Sequence, residues 1–257
     1  MNKIRLIGRL DIKGPNLIKG IRFEGLKVLG SPEEFALNYY NQGIDELIYI
    51  DTVASLYGRN NLLEFVKKIG KKVFIPITVA GGIRSVDDVN KFLNAGADKV
   101  TINTGAVNNP EILKEITMRF GSQCVSLQVD AKKISEKKWE VFTLQGREKT
   151  NLDVVEWIKK SIDLGVGEIF LTSIDQDGTL KGFDLDLITE VNKVINVPLV
   201  VSGGAGNLNH IKEILDISKK INLAVGSIIH KKILTIKEIK TYIKKQGSLV
   251  RSGDFSE

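Results

Sequence analysis

The chain has 257 residues, 42% hydrophobic and 26% charged, with a formal net charge of +6. That length suits one large core or two small ones, and the single cysteine, Cys124, excludes an internal disulfide framework. There is no apolar run of about 18 residues, no secretory leader pattern at the amino terminus, and no clustering of aromatics with arginines; a membrane span, a signal peptide and a base-stacking nucleic-acid surface are not expected, and the expected compartment is the cytoplasm.

Apolar, strand-like runs occur at residues 5–12, 46–51, 73–79, 99–103, 124–130, 168–173, 197–202 and 223–226. Helical patterns lie between them at 32–42, 62–69, 86–95, 110–120, 153–164, 186–194 and 208–218, and an eighth, 235–246, closes the series. Start signals are clear at Ser31-Pro32-Glu33-Glu34, an N-cap with proline and acids in the first turn, and at Ser85-Val86-Asp87-Asp88, a capping box with Asp in the Glu position. Strict alternation of strand and helix predicts a parallel sheet covered by helices, and eight repeats of the unit predict an α/β fold of the (β/α)8 barrel type. Two connections are longer than the rest, 13–30 after the first strand and 132–150 after the fifth. The second reads as a small hairpin.

The chain also repeats itself. Ile75-Pro76-Ile77-Thr78-Val79-Ala80-Gly81-Gly82 is answered 122 residues later by Val197-Pro198-Leu199-Val200-Val201-Ser202-Gly203-Gly204. Residues 46–51 are answered at the same offset by 168–173, and 10–13 at an offset of 119 by 129–132. Four parallel strands alone leave two raw edges, whereas two such halves joined into one barrel leave none. One barrel over 1–247, with half-barrels of about 1–122 and 123–247 and a loose polar tail at 248–257, is therefore expected.

Asp11 and Asp130 end the first and fifth strands, which face each other across an eight-stranded barrel. Such a pair suits general acid–base work on a substrate held between them. Gly81-Gly82 and Gly203-Gly204 end the third and seventh strands, where bare backbone N–H groups can approach an anion; Asn103-Thr104-Gly105 and Gly226-Ser227 add donors beside them. Two such rims predict a substrate with a phosphate at each end. No metal-ligand cluster, dinucleotide fingerprint or Ser-His-Asp set is visible, so no metal or cofactor is expected. His210 and His230 read as surface or packing residues.

These segments, with Ile18-Lys19-Gly20, Ala95-Gly96-Ala97-Asp98-Lys99-Val100, Phe120-Gly121-Ser122-Gln123-Cys124 and Asp175-Gln176-Asp177-Gly178-Thr179, make the chain resemble the cyclase subunit of imidazole glycerol phosphate synthase from Arg5 to about Gly247. The resemblance implies a half-barrel duplication and an activity. Ammonia from a separate glutaminase subunit, bound as a heterodimer, attacks a bisphosphorylated ribulosyl-formimino aminoimidazole carboxamide nucleotide. Imidazole glycerol phosphate and aminoimidazole carboxamide ribonucleotide are released. By the same resemblance Asp11 and Asp130 are the acid–base pair, and Lys19 closes over substrate on a flexible loop. Gly82, Asn103 and Thr104 hold one phosphate, Asp177, Gly178, Gly204 and Ser227 surround the other, and Asp51 and Thr172 complete the substrate set. Arg5, Glu46, Lys99 and Glu168, at strand starts, form a charged entrance for ammonia, with Asp98 on the docking face.

The pattern departs from the family at Gly8-Arg9 (usually Pro-Cys), Ala80 (usually Gly), Gly14-Pro15-Asn16, Leu56-Tyr57 (usually His-Glu) and 219–222. Arg9 shares the parity of Arg5 and Asp11 along its strand, which points it into the barrel, either narrowing the ammonia path or pairing with an acid. Three alternatives therefore stay open beside histidine biosynthesis: an ammonia-channelling partner of a sugar amidotransferase in surface-polysaccharide synthesis, a sister phosphoribosyl isomerase, and a non-catalytic scaffold that activates a glutaminase.

Overall fold

Eight parallel strands close on themselves. In the computed structural model, which describes residues 3–54 and 62–251, they are β1 (Leu6–Lys13), β4 (Glu46–Asp51), β5 (Ile77–Ala80), β6 (Lys99–Ile102), β7 (Val125–Ser135), β10 (Glu168–Ser173), β11 (Leu199–Ser202) and β12 (Asn222–Val225). The order β10-β11-β12-β1-β4-β5-β6-β7 is completed by a β7–β10 pairing, so each barrel strand has a neighbour on both sides. Helices α1 (Pro32–Asn41), α2 (Leu62–Ile69), α3 (Val86–Asn94), α4 (Thr104–Asn108), α5 (Glu111–Phe120), α6 (Val154–Asp163), α7 (Leu185–Val194), α8 (Leu208–Ile217), α9 (Ser227–His230) and α10 (Ile236–Lys245) connect them. This is the expected (β/α)8 barrel. Leu56-Tyr57 and residues 252–257 lie outside the described residues.

Strand alternation sorts the apolar residues into two cores. One set, including Leu6, Leu10, Leu47, Val79 and Leu127, packs outward against the helices. The other, Ile7, Ile48, Ile50, Ala80, Phe170, Val200 and Ala224, forms a second buried cluster inside the barrel. Ser85 and Asp88 make the predicted capping box of α3, whereas Ser31 stands at the N-cap of α1 with no side-chain bond.

Some boundaries shift for identifiable reasons. The third and seventh strands were expected from residues 73 and 197 but begin at Ile77 and Leu199. Pro76 and Pro198 offer no N–H to a ladder. Their carbonyls instead accept Leu47 N and Ile169 N, both at 3.0 Å. The long first connection is a hairpin, β2 (Asn16–Ile21) and β3 (Glu24–Gly30), antiparallel to the end of β1. The second is β8 (Lys138–Thr143) and β9 (Glu148–Asp153), extending from β7. The tail, expected loose from Ser248, is docked as far as it is described. Ile4 N donates to Leu249 O at 2.7 Å, Val250 bridges Ile4, and Ser248 and Val250 are buried.

The amino-terminal strand ends are tied by side chains. Asp45 Oδ2 accepts Leu6 N at 2.8 Å, Asp98 Oδ2 accepts Ile77 N at 2.8 Å, and Asn222 Oδ1 accepts Arg5 N at 3.0 Å. Asp45 differs from Asp98 in also neutralising the buried Lys240, at 2.6 Å. Asp45→Ala, which strands that ammonium, is therefore expected to cost about 3 kcal/mol or more. Asp98→Ala, which only frees a backbone donor, is expected to cost about 1 kcal/mol. Urea unfolding of both variants checks the ranking; equal losses would contradict it.

Candidate functional site

The carboxyl ends of the barrel strands carry the two acids. β1 and β7 are four places apart in either direction round the closed sheet, so Asp11 and Asp130 face each other across the bore. Each receives a hydrogen bond from the residue two positions earlier on its own strand. Arg9 Nε donates to Asp11 Oδ1 at 2.8 Å, and Gln128 Nε2 donates to both Asp130 oxygens at 3.1 and 3.2 Å. Residues i and i+2 share a strand face, so this contact follows from the backbone alone. Arg9 and Gln128 are repeat mates, as are Asp11 and Asp130, yet one donor is a cation and the other a neutral amide.

That difference separates the protonation of the two acids. Burial alone would raise the Asp11 carboxyl, but the charges of Arg9 and Lys19 outweigh it and hold Asp11 well below the usual carboxylate range. For Asp130, burial dominates and pushes it up to about 6, against the opposing pull of Arg9, Gln128 and Asn103. Arg9 itself keeps its proton: burial works against the cation, but Asp11 and Asp177 more than compensate.

Lys19, on β2, donates to Asp11 Oδ2 at 2.8 Å and to both Asp177 oxygens at 3.0 Å. Arg9 Nη1 lies 3.6 Å from Asp177 Oδ1 and donates to Thr172 Oγ1 at 3.2 Å and Ser202 Oγ at 3.1 Å. Arg9, Asp11, Lys19 and Asp177 thus form a closed ring of alternating charge, with every member buried. The β2–β3 hairpin is drawn down on it. Its two-residue turn, Arg22-Phe23, holds both residues at positive φ (55° and 65°), a type I′ geometry costly for residues with side chains. The compensations are Arg22 N to Asp177 O at 2.8 Å, Arg22 Nε to Asp175 O at 3.1 Å, and the Phe23 ring 5.6 Å from the Arg9 guanidinium carbon. A side chain at Gly178 would meet Gly20 O at 2.2 Å, so only glycine lets the loop after β10 and the hairpin touch.

Two small cavities flank the acids. The first, about 30 Å³, is lined by Asp51, Gly82, Asn103, Thr104, Gln128 and Asp130, among others. The second, about 20 Å³, is lined by Arg9, Lys19, Asp177, Gly178, Gly204 and Ser227, among others. The backbone packs so tightly at the second rim that a Cβ on Gly204 would lie 1.9 Å from Gly182 O. The structure thus brings together the expected residues of each rim, with two reassignments. Asn103 Nδ2 is spent on Asp130 and on Phe142 O, both at 2.9 Å, and Thr172 is spent on Arg9. Sequence reasoning missed Ser202 and Phe23 as partners of Arg9. The parity of Arg9 placed it in the barrel, but nothing local to residues 23 or 202 announced contact with it. The histidines pack as expected: Tyr39 Oη lies 2.5 Å from His230 Nδ1, and Gly206 N donates to His210 Nδ1 at 3.1 Å.

At the opposite end of the barrel the four strand-start charges meet. Arg5 binds Glu46 (2.8 Å) and Glu168, and Lys99 binds Glu168 at 2.6 Å. Beside them opens a groove of about 680 Å³, lined by Lys3, Arg5, Lys99, Glu168 and Asn222, among others. Asp98 is exposed and adjoins Lys99 in the chain. Among the described residues no helix is long and apolar enough to cross a membrane.

Known proteins resemble this chain in sequence over nearly their whole length. A protein from Legionella pneumophila, "Imidazole glycerol phosphate synthase subunit HisF", is 59% identical over 208 residues, which is 81% of this chain and 98% of the relative. Proteins of the same name from Streptococcus mutans serotype c and Clostridium botulinum are 42% and 44% identical, over 98% and 96% of this chain and 100% and 98% of their own lengths. The family described as "Histidine biosynthesis protein" matches residues 5–235, and the chain belongs to that family.

Proposed function

We propose that the chain is the cyclase subunit of imidazole glycerol phosphate synthase and uses ammonia from a glutaminase subunit to convert the bisphosphorylated nucleotide to imidazole glycerol phosphate and aminoimidazole carboxamide ribonucleotide. The observation that carries this reading is the pair of opposed acids, one held ionised and one pushed up to about 6, between two glycine-lined rims. Asp11 is the base that takes a proton from the incoming nitrogen. Asp130 is the acid that protonates the departing amine. Gly82 and Thr104 with Asn103 hold one phosphate; Gly178, Gly204 and Ser227 hold the other, with Asp177 fixing Lys19. Asp51 and Thr172 support these rims through the residues beside them. The hairpin bearing Lys19 opens to admit substrate, since cavities of 20–30 Å³ are far smaller than a nucleotide. Ammonia enters at the Arg5–Glu46–Glu168–Lys99 end, where the glutaminase docks with Asp98 at its interface.

Arg9 supports a second reading, in which the same ammonia relay serves a sugar acceptor. The guanidinium fills space between Asp11 and the second rim, where the family carries a small residue, and it occupies Thr172. One assay separates the two. With the bisphosphorylated nucleotide and free ammonium at alkaline pH, the purified chain is expected to turn over. Absence of turnover beside a competent control enzyme would overturn the first reading.

Asp11→Asn is expected to lower that turnover by about 100-fold or more, the usual scale for losing a positioned base; retained activity would overturn the assignment. Lys99→Met is expected to spare the ammonium reaction and to slow the glutamine-coupled one, so equal losses would remove Lys99 from the entrance. Asp130 also predicts a pH effect on stability. Its folded-state pKa of about 6 exceeds the ordinary carboxylate value, so the folded chain binds more protons between about pH 4 and 6 and the contribution of Asp130 falls as pH rises through that window. Asp130→Asn is therefore expected to gain stability relative to the parent by about 2–3 kcal/mol between pH 4 and 7. Urea unfolding at both pH values measures this, and a pH-independent difference would contradict the raised pKa.

A further inference from the structure

The two rims share a backbone design through the repeat, but not an electrostatic one. Neither Lys nor Arg lines the first cavity, which instead carries Asp51 and Asp130. The second is lined by two cations, Arg9 and Lys19, and by one acid, Asp177, while Asp11 is absent from its wall. The repeat mates Arg9 and Gln128 each reach across to line the cavity of the opposite half, so one exchange of residue type accounts for much of the difference. A second feature points to a ligand at the same place. Ser227 is buried, its hydroxyl has no hydrogen-bond partner among the described residues, and it lines the second cavity beside Gly204. A buried hydroxyl is costly to leave unpaired, and an anion oxygen would accept its proton. At the first rim the Thr104 hydroxyl is already anchored, its oxygen accepting Leu144 N at 3.2 Å.

We propose that Arg9 is a specificity-determining residue that makes the Gly203-Gly204 rim the dominant anion site of the barrel. A phosphate there meets the Ser227 hydroxyl, the backbone at Gly204 and the inner face of a guanidinium whose position is fixed from three sides by Asp11, Thr172 and Ser202. The guanidinium is pre-organised, so little freedom is lost on binding. A phosphate at the first rim meets backbone donors and the Thr104 hydroxyl but no cation, and has two carboxylates beside it. The substrate's phosphates are therefore held unequally, and the one at the second rim anchors the molecule. This rests on the reading that both rims hold phosphate, but its test does not require turnover.

Inorganic phosphate is titrated into the ¹⁵N-labelled chain, and amide shifts are followed at Gly203, Gly204 and Ser227 for one rim and at Gly82, Thr104 and Gly105 for the other. In the parent chain the second rim is expected to saturate at a phosphate concentration at least about tenfold lower than the first, the scale of one charge-assisted contact. Arg9→Gln copies the repeat mate and is expected to raise the second-rim Kd by at least about tenfold, leaving the first rim unchanged and the two nearly equal. Arg9→Lys restores part of the difference. Gln128→Arg provides an independent variant and is expected to tighten the first rim. Equal affinities in the parent chain, or a second rim indifferent to Arg9→Gln, would overturn the role of Arg9 while keeping the two-phosphate reading. No response at either rim would overturn both.

Discussion

Closure of the sheet is the constraint from which the rest follows. Because β7 pairs with β10 while β1 is held between β12 and β4, no barrel strand has a free edge, and each must send alternate side chains into an enclosed bore. Any polar group sent there has to find its partner inside. At the mouth this is met by the charge ring of Arg9, Asp11, Lys19 and Asp177, and at the other end by Arg5, Glu46, Glu168 and Lys99. Neither ring is a cheap source of stability, since desolvating four charges offsets most of what their attraction returns. What the rings supply is position: each carboxylate oxygen at the mouth is fixed by a named donor.

Duplication provides the frame in which a small change has a large effect. The halves place an acid at the same height on opposite strands and a donor two residues below it. A cation in place of the amide in that donor, together with Lys19 on the hairpin, separates the two carboxyls: Asp11 is held well below the usual carboxylate range, while burial pushes Asp130 up to about 6. The difference is built into the protein without moving the backbone. The same exchange places a cation on the wall of the second cavity and a neutral amide on that of the first.

Much of this is legible in the residues, because it depends on periodicity and repetition. The strand count, the facing acids, the two glycine rims and the inward parity of Arg9 all follow from spacing. What spacing misses is long-range pairing. The β2–β3 hairpin is held by contacts from Arg22 to a loop more than 150 residues away and from Phe23 to the inward-facing Arg9, so local pattern reads it as a connection. Pro76 and Pro198 delay two strands by turning backbone carbonyls to a neighbouring strand. Asn103 lies at its expected rim and Thr172 inside the barrel beside Arg9, and a buried acid and a buried cation claim their polar atoms. The end of the chain reads as polar, but Val250 is buried against Ile4 across the whole length of the sequence.

The apolar cluster inside the barrel has its own consequence. Six strands contribute Ile7, Ile48, Ile50, Ala80, Phe170, Val200 and Ala224, while the remaining two, β6 and β7, place Thr101 and Ser126 side by side with hydroxyls that have no partner among the described residues. The interior is therefore a greasy collar with one narrow polar seam. An ion crossing it would give up most of its hydration, whereas a small neutral molecule could exchange hydrogen bonds along the seam. The collar thus sets the charged groups at the foot of the barrel apart from Asp11 and Asp130 at its mouth.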